Sequence, residues 1–579
     1  FTYIMAKALL DKVLGGIERE EGTPAYEIIE EYKGKDLEYK EYEPLYQCAK
    51  DAADKQHKKA FFVYCDNYVT MEDGTGIVHI APAFGEDDAR VGRKYDAPFV
   101  QMVDEAGVMK PETPFAGMRA KPTKKEMEAG AINCDVEVLK ELEGRGILFS
   151  APKVEHEYPH CWRCDTPLIY YARESWFIKM TDVKDDLIKN NNTVNWIPKT
   201  IGEGRFGAWL ENVQDWGISR NRYWGTPLNI WECECGHRHA IGSIEELKSM
   251  SDNCPDEIEL HRPFIDAVTI KCPECGKEMH RVPEVIDCWF DSGAMPFAQW
   301  HYPFENKEEF ERRFPADYIS EAVDQTRGWF YTLSGLSTIL FDKPAFKNCI
   351  VLGLVCDKDG KKMSKHVGNV VAPADVLTKQ GADAVRWYFY TASSPWLPSR
   401  FSGDAVSEMQ RKYMGTLWNT YAFYVLYANI DAFDATKYAL EYDKLSVMDK
   451  WILSKMNSMV KSVDENLAAY AIPEAARSLQ EFVDDLSNWY VRRSRERFWG
   501  KDMPQDKINA YMTLYTALVT TSKAAAPMIP FMAESIYQNL VRSLDKGAPE
   551  SVHLCGFPEA DERRIDAQLK RDMDLVLKI

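Results

Sequence analysis

No apolar run in the 579 residues approaches the roughly 20 needed to cross a hydrocarbon core, which excludes a helical membrane span. Positive charge is also in deficit. The 71 lysines and arginines face 90 aspartates and glutamates, for a net charge of -19. A generally basic nucleic-acid coat is therefore excluded, and any RNA must be met by local basic patches on an acidic body. Internal repeats and low-complexity tracts are absent. No secretory leader is expected, and several of the 14 cysteines sit in close pairs. Paired thiols in a non-secreted chain point to metal sites before disulfides, so a cytoplasmic protein is expected.

What is present is ordinary globular sequence, 45% hydrophobic and 28% charged, too long for a single core. The opening "FTYIMAKALL" carries no initiator methionine, and "QLKRDMDLVLKI" closes inside an amphipathic pattern, so a piece of a longer protein is expected. Residues 1–150 mix strand-like runs ("AFFVYCDNYV", "GTGIVHIAPA") with brief helices and turn residues, which predicts a compact α/β or β-rich unit. Residues 151–285 are rich in tryptophan and loops and include a cysteine-bearing insertion. Over 286–395 strand and helix alternate as a parallel sheet requires. Beyond the Pro-rich "SSPWLPSR", residues 396–579 repeat apolar positions at three and four, the period of a helical bundle.

Four groups of residues carry chemistry. Cys233 and Cys235 in "WECECGH", with Cys272 and Cys275 in "KCPECGK", form two knuckles, and tetrahedral thiolate coordination of a structural zinc needs two such pairs. His237 and His239 are substitute ligands, while Cys161 and Cys164 have no matching pair in the chain. The stretch "LVCDKDGKKMSKHVGNVV" sets Lys358, Lys361, Lys362, Lys365 and His366 on one loop. That loop suits either a solvated turn or a mobile phosphate clamp. In "GTGIVHIAPAFGEDDARVG", Glu86, Asp87 and Asp88 follow Gly85. Asp88 there is a helix cap or a carboxylate for a substrate ammonium, with His79 lining the same pocket. Finally, "IDCWFDSGAMPFAQW" and "ISEAVDQTRGWFYTLSGLS" put Trp289 and Trp329 near strand ends, where open α/β sheets bind ligands. Glu321, Asp324 and Gln325 lie beside them as polar partners.

Taken together, "WLENVQDWGISRNRYWGTPLNIW", "DCWFDSG", "DQTRGWFYTL" and "KMSKHVGNVV" resemble, in order and spacing, the class I aminoacyl-tRNA synthetases, and among them the isoleucyl family. The likeness runs through almost the whole chain. It implies a class I nucleotide-binding, Rossmann-like parallel sheet, present in part, with an inserted editing domain over 1–150, a zinc-ribbon insertion and a C-terminal all-α anticodon-binding bundle. It further implies activation of isoleucine by ATP with Mg2+ and transfer to tRNA(Ile), by a protein that is a monomer when complete. By the same likeness Lys362 and Lys365 stabilise the leaving pyrophosphate, and Glu321, Asp324 and Gln325 contact the adenylate. Trp289 and Trp329 form the isoleucine pocket, while Asp88 and His79 edit misattached valine.

Several positions depart from that pattern. Ala322 replaces a usual glycine, Ile80 and Phe84 replace Thr and His, and no His-x-Gly-His element occurs anywhere in the chain. The chain by itself is therefore expected to be inactive. A non-catalytic tRNA-binding or regulatory piece of the same fold is the alternative. In the bundle, "NWYVRRSRERFW" either offers Arg492, Arg493, Arg495 and Arg497 to RNA phosphates or forms a solvated basic face pairing with Glu496.

Overall fold

In the computed structural model, which describes residues 1–17, 23–153, 156–161, 165–364, 367–576 and 578, the chain divides into two compact units, Phe1–Glu174 and Ser175–Ile579. The second unit holds a parallel sheet in which Ile319–Ala322 pairs with Asn348–Leu352 and the latter with Asn195–Ile197. Parallel neighbours need a crossover, and helix Trp329–Phe341 supplies it between the first two strands. Phe330 and Leu333 on that helix are buried with Trp196, Phe206, Phe346, Cys349 and Val351. Gly202 lets backbone meet the Trp196 ring, since a Cβ there would sit 2.2 Å from it. The outer side of Ile319–Ala322 pairs with no strand among the described residues, and its four residues are half-buried or exposed.

The cysteine-bearing insertion is a separate antiparallel sheet. Arg238–Ala240, Ile230–Cys233, Glu278–Arg281 and Ile270–Lys271 lie side by side in that order. It has its own small core around Trp231, Leu247, Val268 and Met279, and the Trp231 indole donates to the Val268 carbonyl at 2.9 Å.

From Gly403 onward the described chain is dominated by helices, the longest being Thr416–Ile430, Val447–Ala468, Ile472–Asp485 and Gln505–Ala525. Ser446 and Asp449 close a reciprocal cap on the second of these. Asp383, at the start of helix Ala382–Thr391, accepts from the backbone N–H groups of Phe531 (3.3 Å) and Met532 (2.7 Å), so a carboxylate at the N-terminus of helix Pro530–Tyr537 ties the two regions together.

The first unit corrects a sequence expectation. It contains helices Gln47–Asp54, Glu86–Lys94, Lys124–Glu128 and Cys134–Gly144, but its described residues form only isolated bridges, not strands. Of the two strand-like runs, only Phe62 bridges, to Glu41. Ile77 and Val78 remain about half exposed, at 53% and 49%. Strand preference largely reflects packing on a neighbouring strand, and none lies beside this run among the described residues.

A second correction concerns Arg497. It does not face solvent with its neighbours. Its guanidinium grips the fully buried Asp449 carboxylate with two bonds of 2.8 Å, while the Tyr490 hydroxyl donates to the same carboxylate at 2.6 Å and Ser446 Oγ at 2.7 Å. Burial pushes Asp449 up, but Arg497, Tyr490 and Ser446 outweigh it and leave the group below the ordinary carboxylate range. A depressed carboxylate stabilises above its unfolded value of about 3.9, and that contribution is lost as pH falls through the folded value. Arg497→Ala should therefore cost about 3–5 kcal/mol in denaturant unfolding at neutral pH, because it strands a buried charge. The gap from the parent chain should narrow in acid. A neutral-pH loss below about 1 kcal/mol would reduce the pair to an ordinary surface bridge.

Candidate functional site

Trp289 and Trp329 stand near the carboxyl end of strand Ile319–Ala322. After the strand, the turn Val323–Arg327 leads into helix Trp329–Phe341. Gln325 Oε1 accepts the Trp329 N–H at 3.0 Å, and its amide nitrogen donates to Asp324 at 3.0 Å, so Gln325 uses its side chain within the turn. A Cβ on Gly328 would lie 2.7 Å from Gln325 Oε1 and 3.1 Å from the Trp289 ring. Trp289 therefore rests against the Gly328 backbone, beside Gln325 and Trp329. The Trp329 indole donates to the Ser292 carbonyl at 3.1 Å, which fixes its edge. Glu321 and Asp324 are exposed at this rim, and Glu321 has no ion-pair partner among the described residues.

Trp289 is aimed by a buried carboxylate that the sequence reading passed over. Asp287 is 3% exposed and follows strand Val285–Ile286. It accepts from Arg220 at 2.8 Å, from the Trp216 indole at 3.3 Å and from the backbone N–H of Trp289 at 3.3 Å. Two motifs distant in sequence, "WGISRNRYWG" and "DCWFDSG", thus meet on one acid. A short helix, Cys288–Gly293, then carries Trp289 in its first turn. Gly293 permits direct contact with the crossover helix, since a Cβ there would be 2.8 Å from the Thr332 carbonyl oxygen.

The lysine loop follows strand Val355–Cys356, which pairs in parallel with Ser399–Arg400. Cys356 bridges to Lys362, whose side chain is exposed. Lys358, Lys361 and Lys362 have no ion-pair partner among the described residues, and Met363 packs on the small core of Val376, Tyr388 and Phe401. Lys365 and His366 lie outside the described residues, as does Cys164.

The four cysteines converge. Cys233 Sγ lies 3.4 Å from Cys275 Sγ and Cys235 Sγ lies 3.7 Å from Cys272 Sγ, and all four sulfurs fall within 4.8 Å of one another. Four thiolates at about 2.3 Å around a tetrahedral metal stand about 3.8 Å apart, so the set fits such an ion. Gly236 and Gly276 take left-handed backbone (φ 89° and 73°) that makes each knuckle tight. Neither histidine belongs to the set, and His239 instead pairs with Glu246 at 3.0 Å.

In the first unit, Asp88 sits in the opening turn of helix Glu86–Lys94. It accepts from the Ala81 N–H at 3.0 Å and from the Tyr68 hydroxyl at 3.4 Å. His79 is exposed, and no hydrogen bond joins it to Asp88 among the described residues. In the bundle, Arg492, Arg493 and Arg495 are exposed, with Arg493 over the Trp489 ring at 5.6 Å.

Residues 26–397 match the family model described as tRNA synthetases class I (I, L, M and V), and residues 449–579 match the anticodon-binding domain of tRNA ligase. The chain belongs to the class I tRNA synthetases, and its fold is theirs: a catalytic domain on a parallel sheet followed by a helical anticodon-binding region. It is 57% identical over 577 residues to an isoleucine--tRNA ligase of Clostridium novyi and 56% identical to that of Clostridium acetobutylicum. Each alignment covers 100% of this chain and 53% of the relative, so the chain spans about half the length of the curated relatives it matches. Among solved structures, Mycobacterium tuberculosis methionyl-tRNA synthetase in complex with methionyl-adenylate aligns over 66% of this chain and 65% of its own, at 17% identity and a TM-score of 0.48.

Proposed function

We propose that this chain contributes to the ATP-dependent activation of isoleucine and its transfer to tRNA(Ile), with hydrolytic editing of misattached valine. The supporting observation is the grouping of Trp289, Trp329, Glu321 and Asp324 at the carboxyl end of a parallel strand, on a chain whose similarity to isoleucine--tRNA ligases is continuous. In this reading the isoleucine side chain enters between the indoles, where apolar burial supplies affinity. Its carboxylate oxygen attacks the α-phosphorus of ATP, held with Mg2+, and the bond to pyrophosphate breaks. Lys362 and Lys365 neutralise the charge that develops on the leaving group, which is electrostatic work more than covalent chemistry. Glu321, Asp324 and the Gln325 turn face the adenylate.

The same reading gives the other groups their tasks. Cys233, Cys235, Cys272 and Cys275 hold a structural zinc that fixes the two knuckles. Asp88 binds the ammonium of valine on mischarged tRNA, with His79 at the pocket wall. Editing is physically reasonable because one methylene discriminates only about 10- to 200-fold; the figure comes from this very enzyme class. Arg492, Arg493 and Arg495 meet tRNA phosphates. The protein acts in the cytoplasm, as a monomer when complete. Because the chain contains no His-x-Gly-His element, the 579 residues alone are proposed to be inactive.

Isoleucine-dependent pyrophosphate exchange tests the activity. A complete enzyme containing this chain should exchange, the chain alone should not, and a polypeptide carrying the His-x-Gly-His strands should restore exchange if it docks. Robust exchange by the chain alone, or a complete enzyme that prefers another amino acid, would overturn the proposal. For the metal, elemental analysis should find about one zinc per chain, lost when Cys272 or Cys275 becomes serine; a folded, metal-free chain would remove zinc from the account. For editing, Asp88→Ala in the complete enzyme should abolish deacylation of valyl-tRNA while isoleucine activation stays near its original rate, since only the hydrolytic pocket loses its carboxylate. Undiminished deacylation would take Asp88 out of that pocket.

A further inference from the structure

A loop crowded with Lys358, Lys361 and Lys362 should spread by self-repulsion, yet it is folded on itself. Two side chains, 12 residues apart, do the folding. Asp357 Oδ1 accepts the N–H groups of Asp359 at 3.0 Å and Lys361 at 2.8 Å, and Asp357 Oδ2 accepts from the Asn369 side-chain amide at 2.8 Å. The Asn369 amide also donates to the Lys362 carbonyl at 3.2 Å, and its own oxygen accepts the Ser364 N–H at 2.9 Å. Three of the four hydrogen bonds an asparagine can make are filled, each to a different point of the loop. A second tier continues the fold: Ser364 Oγ accepts the Val367 N–H at 3.2 Å, and the Ser364 carbonyl accepts that of Gly368 at 3.1 Å. Gly360 and Gly368, at φ 84° and 74°, make the turns that this arrangement needs.

We infer that Asp357 and Asn369 form a clasp that gives the stretch from Asp357 to Ser364 one preset shape, and that they act as positioning residues for Lys362. The inference rests on the proposed adenylate-forming reaction, but it names residues whose side chains are spent on the loop backbone and on each other. The clasp binds the backbone on both sides of Met363, at the Lys362 carbonyl and the Ser364 amide, and leaves the lysine side chains uncommitted. Charge is thereby concentrated on a rigid turn at no cost in lysine donors. A stretch held in this way presents the Lys358, Lys361 and Lys362 ammonium groups to a phosphate without first having to order its backbone.

The test removes and then rebuilds the clasp. Asn369→Asp sets a second carboxylate against Asp357; Asn369→Ala removes the bridge without adding charge; and the pair Asp357→Asn with Asn369→Asp restores a carboxylate facing an amide in reversed order. In the complete enzyme both single variants should lower kcat for isoleucine-dependent pyrophosphate exchange by on the order of 10- to 100-fold, the cost of a small misplacement of a catalytic group. KM for isoleucine should stay near its original value, because Trp289 and Trp329 are untouched. In the 579-residue chain itself, trypsin should cut after Lys361 or Lys362 faster in the single variants, at unchanged melting temperature. The reversed pair should recover much of both losses, a non-additivity that independent residues would not give. Unchanged kcat and unchanged loop cleavage in the single variants, or a reversed pair no better than Asn369→Asp, would overturn the clasp. Should the complete enzyme fail to activate isoleucine while loop cleavage still follows the clasp variants, the clasp stands and the proposed reaction falls.

Discussion

The parallel pairing of Ile319–Ala322 with Asn348–Leu352 is the constraint on which the site depends. Two parallel neighbours cannot be joined by a tight turn, so the chain must leave the sheet, cross it as a helix and return. That detour begins at the carboxyl end of the first strand. It places the turn Val323–Arg327 and the first residue of the crossover helix, Trp329, at the rim where strands end. Trp289 arrives there from a separate short helix and packs on Gly328, where a side chain would collide with its ring. The outer edge of the same strand pairs with no strand among the described residues, which leaves one row of its backbone groups without a sheet neighbour there.

Buried or half-buried carboxylates organise the rest. Asp287 gathers Arg220, Trp216 and the helix that carries Trp289. Asp383 fastens the helix Pro530–Tyr537. Asp449 ties its own helix cap, Ser446, to Tyr490 and Arg497 on one distant helical run, and Asp357 folds the lysine loop. The physics is common to all four. A carboxylate taken from water must be repaid in hydrogen bonds, and several donors converging on one point fix geometry better than apolar packing does. In an acidic chain these groups act as internal fasteners, while Lys358, Lys361 and Lys362 form no ion pair among the described residues.

Much of the fold was legible in sequence because periodicity reports burial. Apolar positions at three and four marked the helices beyond residue 400, and close cysteine pairs marked an insertion whose sulfurs do converge. The failures are as informative. The runs around Phe62 and Ile77 have the composition of strands, yet among the described residues the first forms only an isolated bridge and the second none, because a strand exists only through its neighbour. Arg497 shares a basic helix with Arg493 and Arg495, yet it turns inward, because what faces it is decided by a residue 48 positions away.

The sequence by itself determined the chemistry available: which residue types stand in which order, the thiol pairs, the lysine loop, the tryptophans near strand ends and the likeness that these carry together. Those are local or ordered signals, and they survive without coordinates. Only the tertiary structure decided which polar groups are committed to the fold. It assigned Gln325 to its own turn, His239 to Glu246 and Arg497 to Asp449, and it joined Asp357 to Asn369 across the loop. Hydrogen bonds are short and directional, so their partners follow from positions in space, which sequence spacing alone does not set.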